Sequence, residues 1–351
     1  MKIVLDAMGG DFGPAPNVEA AIAAAREFGW EIALVGRQEL VRPLLVQHNT
    51  AGLHLPIIHA PDVIEMHEHP AQAVKTKKNS SMVVGIQMVK SGDADAFVTM
   101  GNTGGALAAS LLHLGRIRGI QRPCLSAGYP TAQGFKFLCD LGANTDCKPE
   151  WLAQFALMGS IYAEKVMNIR NPRVVLISNG EEETKGSQLV QEAHQLLKQM
   201  QINFIGNAEG RDLPAGNADV FVTDGFTGNV ILKLSEGMKT MVEGLLKDAF
   251  MSSTVGKIAG ALAKDTIKAT MRKRLDYEEV GGAPLLGVDG VVIIGHGRSN
   301  ARAIKSALMR AAESVERGVV DAIEKGLQAM PRIEGQGARS AAPNAASEMS
   351  N

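Results

Sequence analysis

Apolar residues along this chain fall into short runs closed by polar turns, and the runs alternate between two periods. "KIVLD" at 2–6 is a brief apolar run that ends in a carboxylate and then Gly9-Gly10, the pattern of a strand and a tight turn. "NVEAAIAAAREF" at 17–28 carries apolar residues at helical spacing and stops at Gly29. "EIALVG" at 31–36 predicts a strand, "RQELVRPLLVQH" at 37–48 a helix and "HLPIIHAP" at 54–61 a strand. "SSMVVGIQMVKSGD" at 80–93 predicts a helix capped by Ser80 or Ser81. "ADAFVT" at 94–99 is a strand and "GALAASLLHLG" at 105–115 the helix after it. "FKFLCDLG", "RVVLISNG", "NFIGNAEG", "DVFVTDG" and "GVVIIGHG" are further strand-plus-glycine units, most of them leading into helical pattern.

Strands alternating with helices at this pitch predict an α/β fold, a mostly parallel sheet with helices on both faces. Ligands of such sheets sit beyond the carboxyl ends of the strands. Here those ends are Gly-rich and polar: Gly9-Gly10, Gly101 to Gly105, Gly142-Ala143-Asn144, Asn179-Gly180, Gly225 to Gly228 and Gly295-His296-Gly297. Residues 1–330 read as one α/β unit. Two regions depart from its pattern. A basic amphipathic stretch, 251–276, predicts a helical arm spanning about 250–280, with Lys257, Lys264, Lys268, Arg272, Lys273 and Arg274 against only Asp265 and Asp276. The residues from Pro331 to Asn351 are small, polar and aperiodic, the composition of a disordered tail.

Charge narrows the partners. The 351 residues carry 36 Lys and Arg against 37 Asp and Glu, so no global field draws nucleic acid. No run approaches the ~20 apolar residues of a membrane span. The expectation is a cytoplasmic protein that meets a membrane only peripherally. The odd count of 3 cysteines, with no C-x-x-C spacing, argues against a disulfide framework.

Candidate chemistry begins with a repeat. "ADAFVTMGNTGGA" at 94–106 and "ADVFVTDGFTGNV" at 218–230 share Ala, Asp, Phe, Val, Thr, Gly, Thr and Gly at matching positions, and Asp224 stands where the first copy has Met100. A strand, a G-x-T-G turn and a helix start expose N–H groups and a hydroxyl, a natural oxyanion cradle. Neither the Walker A pattern nor G-x-G-x-x-G is present. On this reading Asn102, Thr103, Gly104 and Gly105 hold an anion. Asp224 acts as an orienting or acid/base group, with Gly225, Thr227, Gly228 and Asn229 supplying donors. The bland alternative is a tight βα turn used twice.

Other residues are expected to join at the same edge. Lys75, Lys77 and Lys78 precede Ser80 and Ser81 at a helix start, which makes an anion clamp or a solvated charge cluster. Glu181 and Lys185 stand four apart, either a surface pair or a site pair. His296 between two glycines is a candidate to protonate a leaving group, or an ordinary loop histidine. "MHEH" at 66–69 lacks further ligands at usable spacing, so no metal is expected.

Taken in order, "LDAMGGDFGP", "MHEHPAQAVKTKKNSS", "GNTGGA", "DLGANTDCKPEWL", "NGEEETKGS", "DGFTGNVILK" and "GHGRSN" form a recognisable set over about residues 1–330. The chain resembles the bacterial phosphate acyltransferase family of phospholipid synthesis. That resemblance implies an isocitrate/isopropylmalate dehydrogenase-like fold, related to phosphotransacetylases. It implies transfer of a long-chain fatty acyl group from acyl carrier protein to inorganic phosphate, with no cofactor. A membrane glycerol-3-phosphate acyltransferase would consume the acyl phosphate. A homodimer with peripheral membrane association is also implied. It carries over no catalytic set, so the site residues rest on the motifs: Asp224, His296 and Lys185 for catalysis, the two turns and the Lys75–Ser81 segment for phosphate and oxyanion. The basic arm suits carrier protein or lipid, or packs in a dimer interface. Rival functions are a short-chain phosphotransacetylase acting on acyl-CoA, a non-catalytic scaffold at the membrane, and a nicotinamide-dependent dehydrogenase that lacks its fingerprint.

Overall fold

The computed structural model describes residues 1–275 and 281–329, the side chains of 267–275 excepted. The expected tail from Pro331, and the side chains of Lys268, Arg272, Lys273 and Arg274, lie outside the described residues.

The strands are β1 (Lys2–Asp6), β2 (Glu31–Gly36), β3 (Ile57–His59), β4 (Ala96–Thr99), β5 (Cys124–Thr131), β6 (Gly134–Cys139), β7 (Val174–Ile177), β8 (Phe204–Ala208), β9 (Val220–Val222), β10 (Ala283–Leu286) and β11 (Val291–Ile294). They form one 11-stranded sheet in the order β3-β2-β1-β4-β11-β10-β5-β6-β9-β7-β8. Between them run α1 (Pro14–Phe28), α2 (Gln38–Val46), α3 (Pro70–Thr76), α4 (Ser81–Ser91), α5 (Thr103–Ala109), α6 (Pro149–Lys165), α7 (Gln188–Leu197), α8 (Asp212–Ala215), α9 (Gly225–Met251), α10 (Thr254–Leu275), α11 (Ala301–Glu316) and α12 (Val319–Gln328). A π-helical turn, Ser110–Leu114, continues α5.

The fold is α/β and mostly parallel, as the apolar runs predict. The two strands that the pattern did not declare, β5 and β10, are the antiparallel ones: β10 opposes both β11 and β5, and β5 opposes β6. They reverse the chain direction in the middle of the sheet. The β3-β2-β1-β4-β11 group and the β6-β9-β7-β8 group are each parallel, and they run opposite ways.

Alternation along the strands sorts side chains onto two buried faces. Val4, Phe97, Leu138, Val175 and Phe221 belong to one cluster that crosses the full width of the sheet. Helices α4 and α5, and Ile231 and Leu232 of α9, pack against it. The opposite face is divided. Ile3, Leu5 and Val98 pack with α1 and α11 in the first half, and Phe137, Val220 and Val222 pack with α6 and α12 in the second.

In a flat sheet, reversed halves would send their carboxyl ends to opposite edges. Five strand steps separate β4 from β9, and a twist of roughly 20–25° per step accumulates to roughly 100–125°. The helices that follow these strands, α5 after β4 and α9 after β9, nonetheless pack on the same face of the sheet. The expected single edge is therefore two edges, one per half.

Candidate active site

At the first edge, Asp6 closes β1 and is 2% exposed. Its Oδ2 accepts the Thr99 hydroxyl at 2.8 Å and its Oδ1 accepts the Met8 N–H at 3.1 Å. The Ser81 side chain bonds to it as well. Thr99 Oγ1 in turn accepts the Gly101 N–H at 2.9 Å. Burial pushes the Asp6 carboxyl above its ordinary value, and the bonds from Ser81 and Thr99 oppose that rise. One carboxyl thus ties together β1, the turn after β4 and the start of α4. The sequence marked Asp6 only as a strand end, because its partner Thr99 lies 93 residues away.

The turn after β4 is less open than its glycines imply. Asn102 caps α5, its Oδ1 accepting the Gly105 N–H at 2.9 Å, while its Nδ2 donates to the carbonyls of Glu65 and Met66, each at 3.1 Å. A Cβ on Gly104 would sit 2.6 Å from Pro70 Cγ, so this glycine admits the start of α3. Asn102 and Gly105 are buried and Thr103 is exposed. Of the anion cradle, Thr103 is the side chain that reaches solvent.

The lysine cluster separates into two kinds. Lys77 Nζ holds Glu68 at 2.6 Å and the Val63 carbonyl at 2.7 Å, so it clips the 63–68 segment and does not stand free as Lys75 and Lys78 do among the described residues. The same bond holds the Glu68 carboxyl below its ordinary value. Lys75 and Lys78 are exposed. Ser80 caps α4, accepting the Val83 N–H at 3.4 Å, and is buried, as is Ser81. Neither serine is available to a ligand.

The turn after β11 completes this edge. Gly295 has no room for a side chain because Met100 fills the space, and the Asp11 N–H donates to the Gly297 carbonyl at 2.7 Å. His296 is exposed, and its Nδ1 accepts the Arg298 N–H at 3.2 Å. With Nδ1 an acceptor, the neutral ring carries its proton on Nε2.

At the second edge, Asp140 follows β6 and is fully buried. Oδ1 accepts the N–H groups of Leu125, Gly142 and Ala143 at 3.1, 3.2 and 3.1 Å. Oδ2 accepts Asn144 N and Nδ2, both at 2.8 Å. Burial pushes this carboxyl up and the bonds from Asn144 and the loop oppose the rise. Asn144 passes the order on: its Nδ2 donates to the Pro123 carbonyl at 2.8 Å and its carbonyl accepts the Gly225 N–H at 2.7 Å.

Asp224 caps α9. Its Oδ1 accepts the Thr227 N–H at 2.9 Å and its Oδ2 the Thr227 hydroxyl at 2.7 Å. A Cβ on Gly228 would collide with the Asp140 carbonyl oxygen. Asp224, Thr227 and Gly228 are therefore occupied by local structure, while Asn229 is exposed and reaches the Leu141 carbonyl at 3.5 Å. Lys185 is exposed in the loop between β7 and α7. No helix forms there, and Glu181 faces Arg211 at 3.7 Å, so the expected Glu181–Lys185 pair is absent.

The arm starts earlier than its basic stretch. The first turns of α9 pack on the sheet through Ile231 and Leu232, and beyond them Leu234, Met238, Met241, Val242 and Leu245 are all exposed at helical spacing. Val255, Ile258 and Leu262 of α10 are exposed too, as are Lys257 and Lys264. Among the described residues no helix is long and apolar enough to cross a membrane. The three thiols are free, and burial pushes Cys147 up to about 12.

The α/β sheet, parallel in each half and reversed in the middle, is a fold that phosphotransacetylases share. Among solved structures, the chain is similar to a phosphotransacetylase from Streptococcus pyogenes (TM-score 0.62, 20% identity, 90% of this chain and 94% of that one). It is also similar to a branched-chain phosphotransacylase from Enterococcus faecalis (TM-score 0.57, 14% identity, 90% and 99%). The family model described as fatty acid synthesis protein matches residues 1–322. A phosphate acyltransferase of Heliobacterium modesticaldum is 51% identical over 93% of this chain and 97% of its own length. One from Pelotomaculum thermopropionicum is 48% identical over 96% and 98%. The chain belongs to the phosphate acyltransferase family, a family of acyltransferases.

Proposed function

We propose that this chain transfers a long-chain fatty acyl group from acyl carrier protein to inorganic phosphate, releasing an acyl phosphate for phospholipid synthesis. The observation that carries the reading is that the two repeated turns start helices α5 and α9 on the same face of the sheet, the first turn accompanied by exposed Lys75 and Lys78 and the second opening a long helix. Lys75, Lys78 and Thr103 would meet the phosphate at the first edge. Asn229, Lys185 and the turn from Gly225 would meet the thioester at the second. A phosphate oxygen attacks the thioester carbon, the C–O bond forms, the C–S bond breaks and the thiolate leaves. The hydrogen phosphate gives up the proton that the thiolate takes, and exposed His296 is the side chain suited to relay it. No side-chain nucleophile is required. A Cys147 thiol pushed up to about 12 is protonated at neutral pH, which agrees with direct attack. Catalysis is then positioning plus oxyanion stabilisation, where one donor contributes about 3 kcal/mol.

The finer setting belongs to the same reading. The apolar stripe of α9 fits a second copy of the chain in a homodimer. Val255, Ile258 and Leu262 beside Lys257 and Lys264 fit a lipid surface, which suits a cytoplasmic enzyme whose product passes to a membrane glycerol-3-phosphate acyltransferase.

The test is turnover with palmitoyl-acyl carrier protein and inorganic phosphate, beside palmitoyl-CoA and acetyl-CoA. Free carrier-protein thiol and hydroxylamine-trapped acyl phosphate are the readouts. Phosphate-dependent product from the carrier-bound donor is expected. Activity on acetyl-CoA alone would make the chain a short-chain phosphotransacetylase.

A further inference from the structure

The loop "GRIRGIQRP", residues 115–123, turns its apolar and cationic residues opposite ways. Ile117 and Ile120 are 3% and 4% exposed and join the second-half core. Arg116, Arg118 and Arg122 are exposed, and so is Lys148 at the start of α6. Asp146 and Glu150 flank Lys148 in the chain, yet none of the four cations has an acidic partner within ion-pair distance among the described residues. Elsewhere on the molecule Lys2, Lys90, Lys136, Arg173, Lys198 and Lys305 are all paired.

This cationic loop is held in place. Gln154 Nε2 donates to the Gly119 carbonyl at 2.9 Å, and the Gln121 N–H returns to Gln154 Oε1 at 2.8 Å. Trp151 Nε1 donates to Gln121 Oε1 at 2.9 Å, and the Arg122 guanidinium lies 4.9 Å from the centre of the Trp151 ring. Arg116 bonds to the Gln121 carbonyl. Like charges carried by one anchored loop and the adjoining helix start without counter-charges repel, and that cost is relieved when an acidic surface docks on them. The loop also adjoins the second edge. The Pro123 carbonyl is bonded to Asn144, and Asn144 is bonded to Gly225, the residue after Asp224.

We propose that Arg116, Arg118, Arg122 and Lys148 form the docking surface for an acidic carrier protein, whose tethered acyl thioester is delivered to the adjoining second edge. The assignment rests on the reading that the donor is carrier-bound. It gives the carrier protein a site apart from the arm, whose exposed apolar faces are then left for lipid and a second copy.

The test measures binding of holo-acyl carrier protein to the full chain by fluorescence anisotropy at low and physiological salt. The variants are Arg118→Glu with Lys148→Glu, and Lys257→Glu with Lys264→Glu on the arm. Both pairs are exposed, so wild-type melting temperatures are expected. The loop variant should weaken binding at least tenfold and flatten its salt dependence. Replacing carboxylates of the carrier protein by lysine should restore affinity for that variant. Equal binding by wild type and loop variant overturns the docking surface and leaves the donor assignment standing. Loss with the arm variant alone also overturns it. A carrier protein that neither binds wild type nor is turned over overturns both readings.

Discussion

Asn102 and Asp224 cap the helices that follow the two copies of the repeated turn, but from positions two residues apart in the aligned repeat. In the second copy the helix begins at Gly225, so the cap falls on Asp224. In the first it begins at Thr103, the cap falls on Asn102, and the position matching Asp224 is Met100, which is 1% exposed and packs against the turn after β11. The carboxylate that distinguishes the copies marks where a helix starts. Replacing either cap by Ala should cost about 1 kcal/mol. Asn102→Ala should cost more of the two, because its Nδ2 also tethers Glu65 and Met66. Urea unfolding checks the ranking. Asp224→Asn keeps an oxygen for the Thr227 N–H, so it should retain most turnover; loss of turnover with wild-type stability would return Asp224 to proton transfer.

Thr99 is the hinge of the first edge. Thr99→Val removes the donor to Asp6 and the acceptor of the Gly101 N–H at once. A buried group left without a partner costs about 1–3 kcal/mol, and the turn it held should loosen. We expect lower stability together with a raised KM for phosphate. Asp6 adds a pH signature. Its carboxyl is raised on folding, so its contribution is fully present below the ordinary value of 3.8 and is lost as pH rises through the folded value. The stability gap between wild type and Asp6→Asn should therefore shrink as pH rises, measured by urea melts at about pH 4 and about pH 8.

Gly228 and Gly104, which the sequence places in the two candidate oxyanion turns, make a packing prediction. Gly228→Ala drives a methyl into the Asp140 backbone, which the five bonds to the Asp140 carboxylate hold in place. Gly104→Ala meets Pro70 at the start of the short helix α3, where a small shift relieves it. Overpacking of this kind costs about 1–3 kcal/mol, and the Gly228 variant should lie at or beyond the upper end. Melting temperatures of the two variants give the comparison directly.

The fold was legible wherever burial on both faces made a strand continuously apolar, as in "KIVLD" and "RVVLI". Strand β5, "CLSAGYPT", escaped because it mixes Ser, Gly, Tyr, Pro and Thr. Its Pro130 is tolerated since β10 pairs only with Leu125 and Cys124 at the other end. Caps with local partners are readable: the pattern narrows the cap of α4 to Ser80 or Ser81, and it is Ser80. A cap and a catalytic acid look alike at a helix start; the structure shows Asp224 as the cap of α9. The ordering roles of Asp6, Asp140 and Lys77 were out of reach. For Asp6 the partner Thr99 is brought close only by strand pairing, while Asp140 and Lys77 bond to near neighbours in the chain that carry no pattern to announce the bond.

Asp219 supplies the clearest acid-side prediction. Burial pushes its carboxyl up, but Arg173 and Lys136 overcome this: Arg173 Nε reaches Oδ2 at 2.9 Å and Lys136 Nζ reaches Oδ1 at 2.8 Å. The net effect holds Asp219 well below its ordinary value of 3.8. For a carboxyl depressed on folding, the stabilisation is present above the unfolded value and is lost as pH falls through the folded one. Wild type should therefore lose stability progressively below about pH 4. Asp219→Asn leaves Lys136, itself 9% exposed, without its counter-charge, so it should be less stable at neutral pH by about 3 kcal/mol. The gap should narrow on acidification. A constant gap from pH 7 down to about pH 2 would mean that shape, not charge, carries the contribution of this pair, and urea melts across that range decide between the two.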